Sequence, residues 1–287
     1  MSKLKIMRGL PASGKTTRAK EIVKTSGNYV RVNRDDLREM LHVGKWTPNK
    51  EKITMNAQLD IVLGLLNDGK NVIVDDTNLR KGDKEKWSAV AKRMNAKFEV
   101  EDMQTSLSEC LQRDKKREKK VGEHVIWQMA ISNGLWQPKK GIVLCDIDGT
   151  IANLDHRLHF VTGDKPDWKS FFENVKDDTL IVDVYERILE FCDRGYDIFF
   201  VSGRSEVCRT DTINWLKEYD LHLYAHAVFM RGEYDHRPDT DVKRGMLKIF
   251  EPVKHKIHCV IDDRPQVIRM WREEGIDVID VGKGIEF

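Results

Sequence analysis

Short apolar runs recur along the chain, and most are followed by stretches with apolar residues at helical spacing. In the first half, Leu4–Arg8 reads as a buried strand and Thr17–Lys24 as the helix behind it. Tyr29–Val32 is a short strand, and Asp36–Leu41 begins a helix. Lys52–Leu66 keeps the helical period until Asp68-Gly69 breaks it. Asn71–Val74 and Phe98–Val100 read as strands, with the Asp83–Met94 helix between them. Apolar strands return at Ile142–Cys145, Phe199–Val201 and Val260–Ile261. The alternation predicts an α/β chain built from doubly wound parallel sheets. Gln137-Pro138-Lys139-Lys140-Gly141 interrupts the pattern as a linker, so two domains are expected, 1–137 and 138–287. Ligands of such sheets bind beyond the carboxyl ends of the strands. Chemistry is therefore to be sought just after each apolar run.

Composition narrows the classes. A length of 287 residues suits two domains with proper cores. Basic and acidic residues, 49 against 47, leave a formal charge of +2, which argues neither for nor against nucleic acid. No apolar run reaches membrane-spanning length and no hydrophobic signal stretch follows Met1. The expectation is a cytoplasmic protein without a membrane partner. Five dispersed cysteines read as reduced thiols, not as a disulfide frame or a zinc site. The tryptophans, Trp168 among them, are expected to pack in cores or between domains. Trp46 stays open as a stacking platform, because it lies in a Gly/Pro-bounded loop.

The segment Gly9-Leu10-Pro11-Ala12-Ser13-Gly14-Lys15-Thr16 fits G-x-x-x-x-G-K-[ST], the phosphate-binding P-loop, in its required strand–loop–helix context. Glycines let the backbone N–H groups curl toward a phosphate chain, and the helix N-terminus adds positive charge there. Lys15 would reach the outer phosphates of ATP, and Thr16 would hold Mg²⁺. Gly9, Ser13, Gly14 and Thr17 complete the expected ATP-binding set.

Three further groups fall at strand ends. Asp35 and Arg38 lie three apart and can share one side of a helix start. They read either as a general base with an anion clamp or as a plain helix cap with a surface ion pair. In Asp75-Asp76-Thr77-Asn78, an aspartate suits the Mg²⁺ shell and Thr77 and Asn78 an acceptor groove; an ordinary turn is the alternative. Arg113 and Arg117, four apart in the basic run Leu111–Lys120, suit one face of a helix closing over the nucleotide, or a solvated charged face.

Together these stretches resemble the kinase domain of the bacteriophage polynucleotide kinase-phosphatase family. The resemblance implies that Asp35 is the general base on a 5′-hydroxyl. It implies that Arg38 binds the phosphate 3′ to the acceptor nucleoside, with Asp76, Thr77 and Asn78 beside it. Arg117, with Arg113, would act on the ATP phosphates.

The strand Ile142–Cys145 runs into Asp146-Ile147-Asp148-Gly149-Thr150, the D-x-D-G-T nucleophile motif of the haloacid dehalogenase phosphatase superfamily. Two carboxylates two apart at a strand end can reach one phosphate. Asp146 would attack phosphorus to give an aspartyl-phosphate. Asp148 would protonate the leaving oxygen and later deprotonate water. Ser202 would bind phosphate, Lys243 would neutralise it, and Asp262 and Asp263 would complete a Mg²⁺ shell with Asp146 and Asp148. This half resembles the 3′-phosphatase domain of the same family, which adds Gly203, Arg204, Arg231 and Arg237 to the 3′-phosphate site. The insert Asn153–Lys176 departs from the family pattern and is expected to form a small cap. Within it His156 and Arg157 suit either substrate contact or a packed cap helix with a solvated arginine.

The expectation is a bifunctional end-healing enzyme, dependent on ATP and Mg²⁺. It would phosphorylate 5′-hydroxyl ends of RNA or DNA and remove 3′-phosphate or 2′,3′-cyclic phosphate. A ligase is its expected functional partner, a homo-oligomer is compatible with the sequence, and a phage origin would place it in host cytoplasm. The competing reading is a small-molecule P-loop kinase fused to an unrelated phosphatase.

Overall fold

The computed structural model describes residues 1–162 and 164–282, and the chain divides between Leu135 and Trp136, two residues before the expected break.

The first unit contains β1 (Lys3–Arg8), α1 (Lys15–Ser26), β2 (Tyr29–Val32), α2 (Arg34–His42), α3 (Pro48–Asn67), β3 (Asn71–Val74), α4 (Asp83–Arg93), β4 (Lys97–Asp102), α5 (Leu107–Lys115) and α6 (Glu123–Ser132). Its strands pair in parallel in the order β2-β3-β1-β4. Successive side chains of a strand point to opposite faces. Leu4, Ile6, Val72 and Val74 therefore meet Val62 and Leu66 of α3 and Trp87 of α4. Met7 and Ile73 turn the other way, onto Ala19 and Ile22 of α1. Burial on both faces is why these strands read as unbroken apolar runs.

The second unit contains β5 (Ile142–Cys145), β6 (Ala152–Asn153), α7 (Trp168–Glu173), β7 (Thr179–Leu180), α8 (Val182–Asp193), β8 (Asp197–Ser205), α9 (Arg209–Glu218), β9 (Ala225–Arg231), α10 (Asp239–Leu247), β10 (Ile257–Asp262), α11 (Pro265–Glu273) and β11 (Val278–Asp280). Its parallel sheet runs β11-β10-β5-β8-β9. Val143, Cys145, Ile198 and Phe200 pack on α8 and α9 through Ile188, Phe191, Trp215 and Leu216. Phe199 on the opposite face meets Phe229 and Phe250 at ring-centroid distances of 6.0 and 4.9 Å. The insert after β5 holds β6 and α7 and a 3₁₀ turn, Asp155–Phe160, between them. Strand β8 runs past the expected end at Ser202, with its register to β9 shifting between Ser202 and Ser205. In both units the motifs sit at the carboxyl edge of the sheet, as the fold class demands.

Candidate active sites

In the first unit the loop after β1 curls back on itself. The Gly9 N–H donates to the Thr77 carbonyl at 3.0 Å, tying the P-loop to the turn after β3. Gly14 sits at φ 92°, a left-handed conformation that an L side chain resists, and opens α1. Lys15 is buried, and its ammonium donates to the carbonyls of Leu10 (2.6 Å) and Gly9 (3.0 Å). Burial lowers its pKa against the pull of Asp75. Ala12, Gly14, Thr16, Thr17, Arg113 and Arg117 line one cleft of about 410 Å³. The two arginines thus meet at the phosphate loop, but not on one helix face. Helix α5 ends at Lys115, and Arg117 lies beyond it. The run of like charges gives way to a turn fixed by Asp114, whose carboxylate accepts the Val121 and Gly122 N–H groups.

Asp75 is buried against Arg31, and burial pushes its carboxyl up against the pull of Arg31, Thr16 and Lys15. Its Oδ1 has no hydrogen-bond partner among the described residues. An orphaned carboxylate oxygen close to the P-loop threonine is a donor set suited to a divalent cation.

Asn33 caps α2 by accepting from the Asp36 N–H at 3.0 Å, while its amide donates to the Asp75 carbonyl. One side chain thereby fastens the end of β2 to the end of β3. It presents Asp35 to solvent, with Arg38 Nη1 donating to it at 2.5 Å. The Arg38 fork also grips Glu51 of α3, at 3.0 Å from Nε and 2.9 Å from Nη2. Asp76 is occupied by Arg34 (3.0 Å) and Gln58 (2.7 Å). Asn78 is a correction: its amide is buried and donates to the Met7 carbonyl at 2.8 Å, so it shapes the turn and offers nothing to an acceptor groove. The sequence reading missed Glu51 and Gln58. Glu51 reads as a routine first-turn acid behind the Thr47 cap and Pro48.

In the second unit the charges are enclosed. Asp146, at the end of β5, is buried with its Oδ2 at 3.2 Å from Lys243 Nζ, and its Oδ1 lacks a partner among the described residues. Lys243 also donates to Asp262 at 2.9 Å and lies 3.7 Å from Asp239. Burial alone would lower this lysine, but Asp146, Asp262 and Asp239 outweigh it and raise its pKa. Asp146, Asp262 and Asp263 bring one oxygen each within 4.8 Å of one another. Burial and their mutual repulsion push Asp146 well up and Asp263 to about 6. Three carboxylates gathered around an unpartnered oxygen, two of them resisting ionisation, fit a divalent cation. Gly149, at φ 74°, makes the turn possible, since a Cβ there would lie 2.1 Å from Asp263 Oδ2.

Asp148 does not join this group. Its Oδ1 accepts from Arg157 Nη2 at 2.5 Å and Arg204 Nε at 2.9 Å. Both guanidiniums are fully buried and share Asp178 behind them. Burial would raise Asp148, yet Arg204 and Arg157 overcome that and hold it at about 2. Three expectations change here. Asp148 lies outside the carboxylate cluster, Arg204 is buried against Asp148 and Asp178, and Arg157 is neither solvated nor at the surface. His156, by contrast, is partly exposed and lies 3.8 Å from Asp178.

Ser202 is buried with its Oγ accepting the Arg204 N–H at 3.2 Å. Gly203 and Arg231 line the cavity above Asp146, and Arg231 donates to the Gly203 carbonyl at 2.9 Å. Arg237 stands exposed at the same cavity, paired with Asp235 at 2.6 Å. Asp239 and Asp178 were missed by the sequence reading. Asp239 binds Arg231 and Arg264 at 3.2 Å each, and its only sequence signal is its place four before Lys243.

The comparisons bear on both units. Residues 4–132 match the AAA domain family. Residues 140–286 match the family described as the polynucleotide kinase PNKP phosphatase domain. A relative from Autographa californica nuclear polyhedrosis virus, named "Putative bifunctional polynucleotide kinase/RNA ligase", is 28% identical over 96% of this chain. The chain spans 42% of that curated relative's length. Among solved structures, a chain of a Pnkp1/Rnl/Hen1 RNA repair complex is 25% identical, covering 99% of this chain and 97% of its own, with a TM-score of 0.43. The APS kinase CysC of Mycobacterium tuberculosis is 20% identical over 40% of this chain and 69% of its own, with a TM-score of 0.34. No described helix is long and apolar enough to cross a membrane. The phosphatase-family match takes in more than half of the 287 residues and every strand of the sheet that carries Asp146. The chain therefore belongs to the polynucleotide kinase PNKP phosphatase domain family.

Proposed function

We propose that this chain heals nucleic-acid ends, phosphorylating 5′-hydroxyls in its first unit and removing 3′-phosphates in its second. One observation carries the reading. A single chain holds a P-loop sharing its sheet edge with the Asp35–Arg38 pair, and a separate centre where Asp146 is locked to Lys243 beneath an open cavity.

In the first unit, Asp35 takes the proton of the attacking hydroxyl while Arg38 holds the neighbouring phosphate. The oxygen bonds to the γ-phosphorus of ATP as the bond to ADP breaks. Lys15, Arg113 and Arg117 balance the charge on the moving group. In the second unit, Asp146 Oδ1 bonds to phosphorus as the bond from phosphorus to the 3′-oxygen breaks, and that oxygen leaves with the proton that Asp148 must carry into the step. Water then attacks the aspartyl-phosphate, gives its proton to Asp148, and releases inorganic phosphate. Asp148 as it stands is the base of that second step. To serve as the acid of the first step it must gain a proton against both guanidiniums. A divalent cation, Mg²⁺ by preference, held by Thr16 and Asp75 in one site and by Asp146, Asp262 and Asp263 in the other, would stabilise charge on the phosphate oxygens.

RNA or DNA ends so treated are ready for joining, which makes a ligase the functional partner. The test is transfer from labelled ATP to a 5′-hydroxyl oligonucleotide against a metabolite panel, with phosphate release from a 3′-phosphorylated oligonucleotide alongside. Labelling of the oligonucleotide and release of its 3′-phosphate support the reading. Labelling confined to a metabolite overturns it.

A further inference from the structure

We propose that Trp168, on the cap insert, is the platform on which the terminal nucleobase stacks while its 3′-phosphate meets Asp146. The inference rests on the 3′-phosphatase reading and adds to it what holds the rest of the terminal nucleotide. Tryptophan was expected to be packed away here. Instead Trp168 is 52% exposed and lines the same cavity, of about 950 Å³, as Asp146 and Asp148. That volume lies at the upper end of the roughly 300–1,000 Å³ of ordinary ligand clefts, so one space can take base, sugar and phosphate together.

The ledge is built, not incidental. Asp167 caps α7 by accepting the Ser170 N–H at 3.0 Å, which starts the helix at Trp168. Residues three and four positions on then share its face. Phe171 meets the indole edge-on at 5.7 Å, and Phe172 lies nearly parallel at 6.1 Å. Phe171 is buried, with the Arg157 guanidinium 4.2 Å from its ring centroid. Arg157 in turn donates to Asp148. Unbroken contact thus links the aromatic face to the catalytic carboxylate, fixing their separation. The cavity also carries Lys169, Arg231, Arg237 and Arg264 among its carboxylates, with Arg231 paired to Asp239 and Arg237 to Asp235, so the aromatic face, not net charge, is what it offers a nucleotide. A half-exposed indole binds a terminal base with little regard to sequence, because every base offers a π-face.

The test uses two oligonucleotides of equal length, one ending in a nucleoside 3′-phosphate and one in an abasic 3′-phosphate. Wild-type kcat/KM for phosphate release should favour the base-bearing end by about 5- to 150-fold, the range that base–aromatic stacking supplies. Trp168→Ala should shrink that ratio to within about twofold of unity, and Trp168→Phe should keep most of it. Exchanging the terminal base should matter by less than about tenfold. A wild-type ratio near one, or an unchanged ratio in Trp168→Ala, overturns the inference. If the alanine variant fails to fold, Trp168→Leu, which keeps apolar bulk without an aromatic face, should bring the same collapse of the ratio, and an unchanged ratio there overturns the inference. Release from neither oligonucleotide sinks the 3′-phosphatase reading itself, and this inference with it. Release from both at equal rates sinks only the stacking.

Discussion

Asp35 and Asp146 are the carboxylates that begin the two reactions of the proposed scheme, and their surroundings are opposite. The Asp35 side chain is 82% exposed and, among the described residues, is tied only to Arg38. The Asp146 side chain is 3% exposed and set in a closed set of charges with Lys243, Asp262 and Asp263. An exposed carboxylate keeps its hydration and contributes little to the fold, while a buried one depends on its counter-charges. The same kind of group therefore has its chemistry set by different means. In the first unit water does most of the solvation and the substrate completes the site. In the second, the protein has replaced water with fixed charges before any substrate arrives.

The comparison breaks first if the two sites are not independent. Lys15→Ala should lower 5′-phosphorylation by at least about 1,000-fold and leave 3′-dephosphorylation intact, with Asp146→Asn doing the reverse. Assaying both activities on each folded variant checks this, and joint loss would contradict separate sites. The next effect is on stability. Lys243→Met strands the buried carboxylates Asp146 and Asp262, and unfolding of the second unit should become easier by about 3–5 kcal/mol. Denaturant titration measures it, and a shift below about 1 kcal/mol would mean that the charges are not truly enclosed.

Arg38→Ala tests the acceptor pair. Charge-assisted bonds to phosphate should be lost, lowering kcat/KM by roughly 10- to 1,000-fold on a nucleoside 3′-phosphate, with far less change on a bare nucleoside. Equal loss on both acceptors would assign Arg38 to the fold or to the ATP side. The smallest effect sharpens the contrast most. Asp35→Ala should abolish transfer yet keep unfolding within about 0.5 kcal/mol of wild type, as surface changes do. A larger drop would show that the Arg38 and Glu51 cluster needs Asp35 to hold α2 in place.

Groups fixed by neighbours in sequence were legible, because local spacing alone brings them together. The P-loop, the Asp146–Asp148 pair and Asp262-Asp263 are of this kind. Lys243 was found only as one member of an ordered set. The Arg157–Asp178–Arg204 cluster was not legible. Asp178 lies 21 positions from Arg157 and 26 from Arg204, and a lone arginine in a polar insert looks like any solvated one. Arg117 was assigned to a helix because its spacing allowed it, whereas Asp114 accepting two backbone N–H groups ends the local order first. Asn78 misled for the opposite reason. Turn residues look the same whether their side chains face a ligand or, as here, the backbone beneath.

Gly149 and Gly203 have a bearing on how this centre can change over generations. A methyl group at either position would fall 2.1 Å from Asp263 Oδ2 or 2.3 Å from Asp239 Oδ1. Neither glycine can gain a side chain unless its carboxylate moves, and both carboxylates act on Lys243. Single neutral steps away from this arrangement are closed. Lineages can therefore diverge freely only around it, in the loops and the cap, while the interlocked pairs are inherited whole.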